Sequence, residues 1–503
     1  MDGIHPKALK EIAEIVAQPL TMIFKRSVSK GELPQNWLDA VISPIYKKGQ
    51  KCMPENYRPV SLLSIICKIL ERIVTNQIID HIKANALNCP QQHGFMKRRS
   101  TTTNLIEALN VWSEALMHGI PVDILFLDYS KAFDTVPHKR LIQQVKSFGI
   151  TGEALQWIEA FLSNRRQRVR VNGKLSGFKP VLSGVPQGSI LGPILFTIFV
   201  NDIPEEINNI ISMYADDTKI YAAIASDMES NSLAEDLKAT EEWAKKMQMK
   251  FHAGKCKVMH IGRTNPCREY QMTTDDGKSH TLEAVDTEKD LGVLIDNKLK
   301  FSQHCQAKIN KANSILGCLK HTFKNMNKDI FMLLYTAMIR PHLEYASCVW
   351  SPYLKRDQDA IERVQRRATK IVPGISHLSY TERLQFLNLP TLKYRRERAD
   401  LIETFRIMNQ QHELNLHCRC SKCPNKEMLQ MSHNTHTRGH SKKLLVQEST
   451  GRRSNFLSSR VIADWNNLEE TTVSATTVEQ FKRLLQEDWA RESNKMFDYR
   501  FSY

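Results

Sequence analysis

Long apolar runs are missing from this chain of 503 residues. The longest, ILGPILFTIFV from Ile190 to Val200, has eleven residues, whereas crossing a bilayer takes about 20. The opening MDGIHPKALKEIA lacks the apolar core of a secretory signal, so neither export nor a membrane anchor is expected. A disulfide framework is lacking: the 11 cysteines are an odd number at irregular spacing, and a reducing intracellular setting (nucleus, cytoplasm or both) is expected. Internal repeats and long low-complexity linkers are absent as well. Acid is in deficit, with 54 Asp and Glu against 70 Lys and Arg, a formal charge of +16 and a pI near 9.2. That balance points to a polyanionic partner, nucleic acid first and an acidic membrane surface second.

What is present is globular. Hydrophobic residues make up 42% and charged residues 25% of the chain, and the length suits about three domains. Leu9, Ile12, Ala13, Val16, Leu20 and Ile23 recur at helical steps, and the text from Trp37 to Ser64 changes to short strands punctuated by proline. A helix follows over Ile65–Ala84, then the basic loop MKRRSTTTN. VDILFLD (Val122 to Asp128) reads as a central strand with both faces covered, because its apolar residues do not alternate with polar ones. GVPQGSILGPILF reads as a Gly/Pro turn feeding a helix. ISMYADDTKIY reads as a hairpin, and CKVMHIG and DLGVLID as further strands. Residues 300–412 look mainly helical, and a last helix is expected near Val478 to Ala490.

Three segments carry candidate chemistry. Asp216 and Asp217 set two like charges side by side between apolar arms, which is cheap at a surface turn and costly in partial burial. Alternation along the first arm puts Ser212, Tyr214 and Asp216 on one face and Asp217 on the other, so unequal roles are expected. Asp128 ends an apolar strand, where it would either serve a site or cap the next helix. Around Gln187, the residues Gly184, Pro186, Gly188 and Gly192 would let a stiff backbone approach a flat ligand, or simply turn into the helix.

Taken in order, NYRPVSLLS, QHGFMKRRSTTTNL, FLDYSKAFDTV, GVPQGSILGP, YADD and KDLGVLID resemble the motifs of reverse transcriptases of non-LTR retrotransposons, of the jockey-like kind. The likeness covers roughly residues 28–297. LEYASCVWSP, RVQRRATKIV, HTRGHSKKL and RVIADWNNL extend it toward the C-terminus. It implies an α+β right-hand polymerase, with fingers, a palm built on an antiparallel sheet, and a thumb, followed by a mainly helical C-terminal region. The chain divides accordingly into a helical segment (1–27), the reverse transcriptase domain (28–297), a helical thumb-like region (298–400) and a basic C-terminal region (401–503). Palm motifs fall at 122–138, 182–202, 211–221, 250–262 and 289–296.

The resemblance also implies roles. Asp128, Asp216 and Asp217 would hold two Mg²⁺ ions, hard cations suited to carboxylate oxygen and substrate phosphate. Phe133 would press on the nucleotide sugar where a 2′-hydroxyl would clash, and Gln187 and Gly188 would lie against the incoming base pair and template. Arg58 and the run Lys97, Arg98, Arg99 match finger segments that meet triphosphate or template. Lys255, with Lys257 two residues away, matches a lysine able to protonate pyrophosphate. Template RNA, a DNA primer and dNTPs are the implied partners. The alternatives are a catalytically silent nucleic-acid-binding remnant, or a polymerase of this fold with another template preference. MDGIHPKAL resembles the inside of a family segment, so an N-terminal truncation is expected, with no endonuclease or RNase H of its own and no nicking of target DNA.

Two further patterns lie downstream. In AIERVQRRATKIV, Ile361, Val364, Ala368 and Ile371 line one helical face, and Arg363, Arg367 and Lys370 another that could track duplex phosphates or merely be solvated. Cys420, Cys423, His436 and His440 have zinc-finger spacing. Glu427 and His433, however, occupy positions that such a finger fills with apolar residues, so zinc is not expected.

Overall fold

The computed structural model describes residues 5–274, 276–414, 428–432, 439–491 and 496–500. Helix α1 (Ala13–Lys30) leads into β1 (Asp39–Tyr46) and β2 (Tyr57–Leu62), then helices α2 (Ile65–Ala84) and α3 (Thr101–Met117). Strand β3 (Val122–Leu127), α4 (His138–Ser147) and α5 (Gly152–Leu162) precede three short strands, β4 (Arg166–Val171), β5 (Lys174–Leu175) and β6 (Lys179–Pro180). Next come α6 (Gly192–Phe199), the hairpin β7 (Ile210–Tyr214) and β8 (Asp217–Ala223), α7 (Asp227–Met247) and β9 (Lys257–Ile261). Strands β10 (Gln271–Thr273), β11 (Ser279–Thr281), β12 (Glu283–Ala284), β13 (Thr287–Asp290) and β14 (Val293–Asp296) follow. The later chain is helical, chiefly α8 (Ser302–Thr322), α9 (Lys355–Thr369), α10 (Leu392–Met408) and α11 (Val478–Arg491). The architecture is mixed α+β, as the sequence led one to expect.

A five-stranded sheet in the order β12–β9–β3–β8–β7 organises the centre, with β3 antiparallel to both β8 and β9. One face of it (Val122, Ile124, Tyr221, Ala223, Met259, Ile261) packs on α3 and continues into a core shared with α8, α9, α10 and α11. The opposite face (Leu125, Leu127, Ile220, Ala222, Val258) packs on a second core containing residues of α2, α4, α5, α6 and α7. This is why β3 is apolar at nearly every position: both of its faces are covered. Each fully buried large side chain contributes about 1.5–3 kcal/mol, and Trp112, Trp157, Phe196 and Tyr221 are among them.

A second sheet, β2–β1–β4–β5 with β6 on β4, stands on the other side of the site. It meets the Gly-rich loop through backbone contacts: the Ser61 amide donates to the Gln187 carbonyl at 2.7 Å. Gly188 has φ +114, and a Cβ there would lie 2.5 Å from the Ser61 carbonyl oxygen, so only glycine permits this approach. Buried Glu71 of α2 accepts from the amides of Ile190 (2.7 Å) and Leu191 (3.2 Å), capping α6 and so fixing the loop before it. Desolvation raises its carboxyl pKa, and those two amides pull it back in part.

The apolar stripe expected near the N-terminus forms helices, but Ile12, Ile15, Met22 and Ile23 face outward, and only Phe24 and Ser27 of α1 are buried. No helix among the described residues is long and apolar enough to cross a membrane. The eight described cysteines at 52, 67, 89, 256, 267, 305, 318 and 348 are free thiols.

Candidate active site

The β3–β8 register ends at Leu127 opposite Thr218. One further step along that register brings Asp128 level with Asp217, on the face that also carries Phe126 and Lys219, and both line one cleft. Between β7 and β8 the loop is two residues, Ala215 and Asp216, because Tyr214 pairs directly with Asp217. Ala215 takes the left-handed φ (+56) that such a loop demands. This turn corrects the reading from alternation. Asp217 does not point away from Tyr214 but returns on the same face, beside Asp128.

Electrostatics make the cluster explicit. Asp216 is half-buried at the loop tip, and desolvation raises its pKa, with Asp128 adding repulsion and Arg58 and Lys47 countering it. Asp217 stays open to water at the cleft mouth, yet partial desolvation, then repulsion from Asp216, Asp290 and Asp128, pushes it up to about 6. Lys255 Nζ stands 3.5 Å from Asp128 Oδ2. Lys257 instead pairs with Glu288 at 2.9 Å, so the two lysines have separate partners. A cavity of about 500 Å³ joins Lys47, Asp128, Asp217, Lys219, Lys255 and Asp290.

Neighbouring segments hold these groups in place. Asp128 is not a helix cap, since Lys131 occupies that position before Ala132–Thr135. Its backbone is tied to the 250–256 segment, with its carbonyl accepting from the His252 amide at 2.7 Å and its amide donating to Cys256 Sγ at 3.4 Å. Tyr129 stacks on Phe251.

The hairpin is braced from its outer edge by Gln91 to Gly94. Met213 donates to Gln91 O and accepts from His93 N, while buried Gln92 Oε1 accepts from the amides of Gly94 (2.7 Å) and Ala215 (2.9 Å). Gln92→Ala strands both amides, and chemical denaturation should register a loss of about 1–3 kcal/mol. A variant within a few tenths of the parent would show that the brace carries no load.

The comparisons with known proteins bear on this geometry. Residues 45–303 match the family described as "Reverse transcriptase (RNA-dependent DNA polymerase)". The chain belongs to the reverse transcriptase family. Among curated proteins it is 30% identical over 374 residues to the RNA-directed DNA polymerase from mobile element jockey of Drosophila funebris, covering 71% of this chain and 40% of that one. Its identity to the Drosophila melanogaster jockey polymerase is 28% over 387 residues (74% and 42%). To the probable RNA-directed DNA polymerase from transposon BS of Drosophila melanogaster it is 26% over 393 residues (74% and 42%). The chain thus spans about 40% of the length of the jockey relative from Drosophila funebris. Among solved structures, apo telomerase from Candida tropicalis aligns at 12% identity and a TM-score of 0.36, over 53% of this chain and 60% of that one.

The other residues singled out in this reverse transcriptase chain fall as follows. Phe133 is half-buried and stacks on Phe196, with ring centroids 4.4 Å apart. Gln187 donates to Asp134 Oδ1 at 2.8 Å, and desolvation raises the Asp134 pKa. Arg58 is exposed on β2, opposite Ile45.

Arg98 and Arg99 are less free than a basic loop suggests. Both approach Glu413, at 3.5 and 3.9 Å, and Arg99 also donates to the Pro90 carbonyl. On α9, Ile361, Val364 and Ala368 are buried, while Arg363, Arg366, Arg367 and Lys370 just beyond it are exposed, and Arg367 donates to Asn313 at 3.2 Å.

Cys420, Cys423 and His436 lie outside the described residues. His440 is buried, its Nε2 paired with the Trp465 carbonyl at 2.9 Å.

Among the described residues no three His, Cys, Asp or Glu side chains form a ready-made ion site. The donor chemistry nevertheless fits a hard cation. Asp128, Asp216 and Asp217 are oxygen donors whose mutual repulsion a positive charge would relieve, and Lys255 is the ammonium now nearest Asp128.

Sequence reasoning missed Lys219, Asp290, Asn104 and Gln92. The first two bore a signal: a lysine two residues past the paired aspartates, and an aspartate opening DLGVLID.

Proposed function

We propose that the chain is an RNA-directed DNA polymerase of a jockey-like non-LTR element, adding deoxynucleotides to a primer 3′-hydroxyl. The observation that carries the reading is the repulsive cluster of Asp128, Asp216 and Asp217, drawn from two separate chain segments onto one sheet end inside the matched residues. Two Mg²⁺ ions held by these carboxylates would lower the pKa of the primer hydroxyl and offset charge on the departing pyrophosphate.

The remaining roles belong to the chain's own side chains. Lys47 and Arg58, already countering Asp216, hold the triphosphate against the carboxylates. Lys255, close to Asp128, gives a proton to the leaving pyrophosphate. Phe133, stiffened by Phe196, excludes the 2′-hydroxyl, while Gln187 and Gly188 bear on the base pair. Arg363, Arg367 and Lys370 follow the duplex backbone. Arg98 and Arg99 meet the template once released from Glu413. The fingers, palm, thumb and C-terminal boundaries near residues 28, 298 and 401 are part of this reading.

Primer extension on poly(rA) and on poly(dA), each with dTTP or UTP, tests it. DNA synthesis on the RNA template that disappears in Asp216→Asn is the expected result. Equal use of UTP would remove the role given to Phe133. Binding without any extension would leave a nucleic-acid-binding remnant in its place.

A further inference from the structure

Between Glu159 and Asp202 the chain has no acidic residue, yet it has six basic ones: Arg165, Arg166, Arg168, Arg170, Lys174 and Lys179. All but Arg165 belong to β4, β5 and β6, and residues 169–180 are exposed throughout. Alternation along β4 puts Arg166, Arg168 and Arg170 on one side, about 6.6 Å apart from one to the next, close to the spacing of successive phosphates along an extended strand. The side they share is defined by register. Arg166 pairs with Asp39 and Arg168 with Val41 on β1, while Ile45, on the same side of β1, pairs with Arg58. The arginine row therefore continues the face that carries Arg58, whose positive charge counters Asp216.

The chemistry of the row is that of a receptor for a flexible polyanion with flat bases. Arg166 is held by Asp39 in a two-pronged pair at 2.9 and 2.8 Å and serves as the anchor. Among the described residues, Arg168, Arg170, Lys174 and Lys179 have no ion-pair partner, and the buried Nε of Arg168 has no hydrogen-bond acceptor. The guanidinium groups of Arg166 and Arg168 lie over the Phe178 ring at 4.8 and 4.7 Å, while that ring remains 38% exposed. Leu175, paired with Arg170 and so on the same side, is exposed as well. Duplex backbone would engage the cations alone. Unpaired nucleotides would also use the aromatic face, because bases free of a partner stack on rings and guanidinium planes.

We propose that the arginine-bearing side of β4–β6 binds the unpaired template strand ahead of the site of synthesis, its phosphates on Arg168 and Arg170 and a base on Phe178. This rests on the polymerase reading for the strand's identity. The binding itself is measured without catalysis, so the two fail separately.

The test is fluorescence anisotropy on an RNA template–DNA primer with about ten unpaired template nucleotides, against the same duplex with blunt ends. The full chain should prefer the overhang. Arg168→Gln/Arg170→Gln should bind the overhang about tenfold more weakly and lower its salt slope by about 1.4, leaving the blunt duplex within about twofold. Phe178→Ala should cost about fivefold or more without changing the slope.

Lys7→Gln/Lys10→Gln, an equal charge change on the exposed N-terminal helix, is the control. An overhang preference that survives in the double arginine variant would overturn the proposal. So would an equal loss on the blunt duplex, or the same loss in the control. Overhang binding by a chain that does not extend would keep the surface and remove the polymerase reading.

Discussion

Asp128→Asn and Asp216→Asn are each expected to lower primer extension by about a hundredfold to a thousandfold or more, while raising rather than lowering the stability of the metal-free protein. The two signs have one origin. Desolvation and repulsion raise the pKa values of Asp216 and Asp217, so the folded state favours their protonated forms more than the unfolded chain does. Stability carried by such a group is greatest below its unfolded pKa and falls as pH rises toward the folded value, about 6 for Asp217. At neutral pH the ionised cluster is therefore a burden. After allowing for solvent screening at exposed Asp217, Asp217→Asn should return about 1 kcal/mol in the presence of chelator. Adding Mg²⁺ should reverse the order. The parent gains stability by mass action, and each Asn variant gains less because it has lost a donor. Thermal unfolding with chelator and with Mg²⁺ reads this without any turnover. If the Asn variants lost stability in chelator, or gained as much from Mg²⁺ as the parent, the carboxylates would not be a cation site.

Asp217→Asn also separates two geometries. Had alternation simply continued from β7, Asp217 would face away from Asp128 and its replacement would be nearly silent in extension. The observed pairing of Tyr214 with Asp217 predicts a loss of about a hundredfold instead. The sequence could not decide this, because the face of a residue after a hairpin depends on how many residues the loop takes. The loop here takes two and uses Ala215 at positive φ, so no glycine marks it.

Similar reasons separate what was legible from what was not. Asp128 was readable because an acid ending an apolar strand needs a reason to be there. The covering of both faces of β3 was readable from its composition. Lys255 and Lys257 could not be told apart on the strand pattern, since the short turn Ala253–Lys255 breaks the alternation before β9 begins. Arg98 and Arg99 read as a free basic loop only because Glu413 lies more than 300 positions away. Charge density in one stretch is local information, whereas the partner that neutralises it is not.

The second large effect concerns a partner of that distant kind. Lys219 on β8, 3% exposed, pairs with Asp290 on β13, 8% exposed, donates to Asn104 Oδ1 on α3 at 2.8 Å, and lies 5.8 Å from the Trp112 ring centroid. It joins β8 to a helix and a hairpin outside the sheet, two residues from Asp217 and on the same face. Lys219→Met leaves the Asp290 carboxylate buried without a cation, and equilibrium unfolding should show a loss of about 3–5 kcal/mol. Lys219→Met/Asp290→Leu removes both charges, fills similar volume, and should recover most of that stability, because desolvating the pair in the parent already cost about as much as it gained. Extension should not recover with it: the ammonium that ties β8 beside Asp217 to Asn104 is still gone, and the double variant is expected to stay at least about tenfold down. A single variant that loses less than about 1 kcal/mol would mean Asp290 finds water, and the pair would not be buried in solution. A double variant that regains full activity along with stability would reduce Lys219 to a packing element. Stability restored without activity would make it the group that positions Asp217.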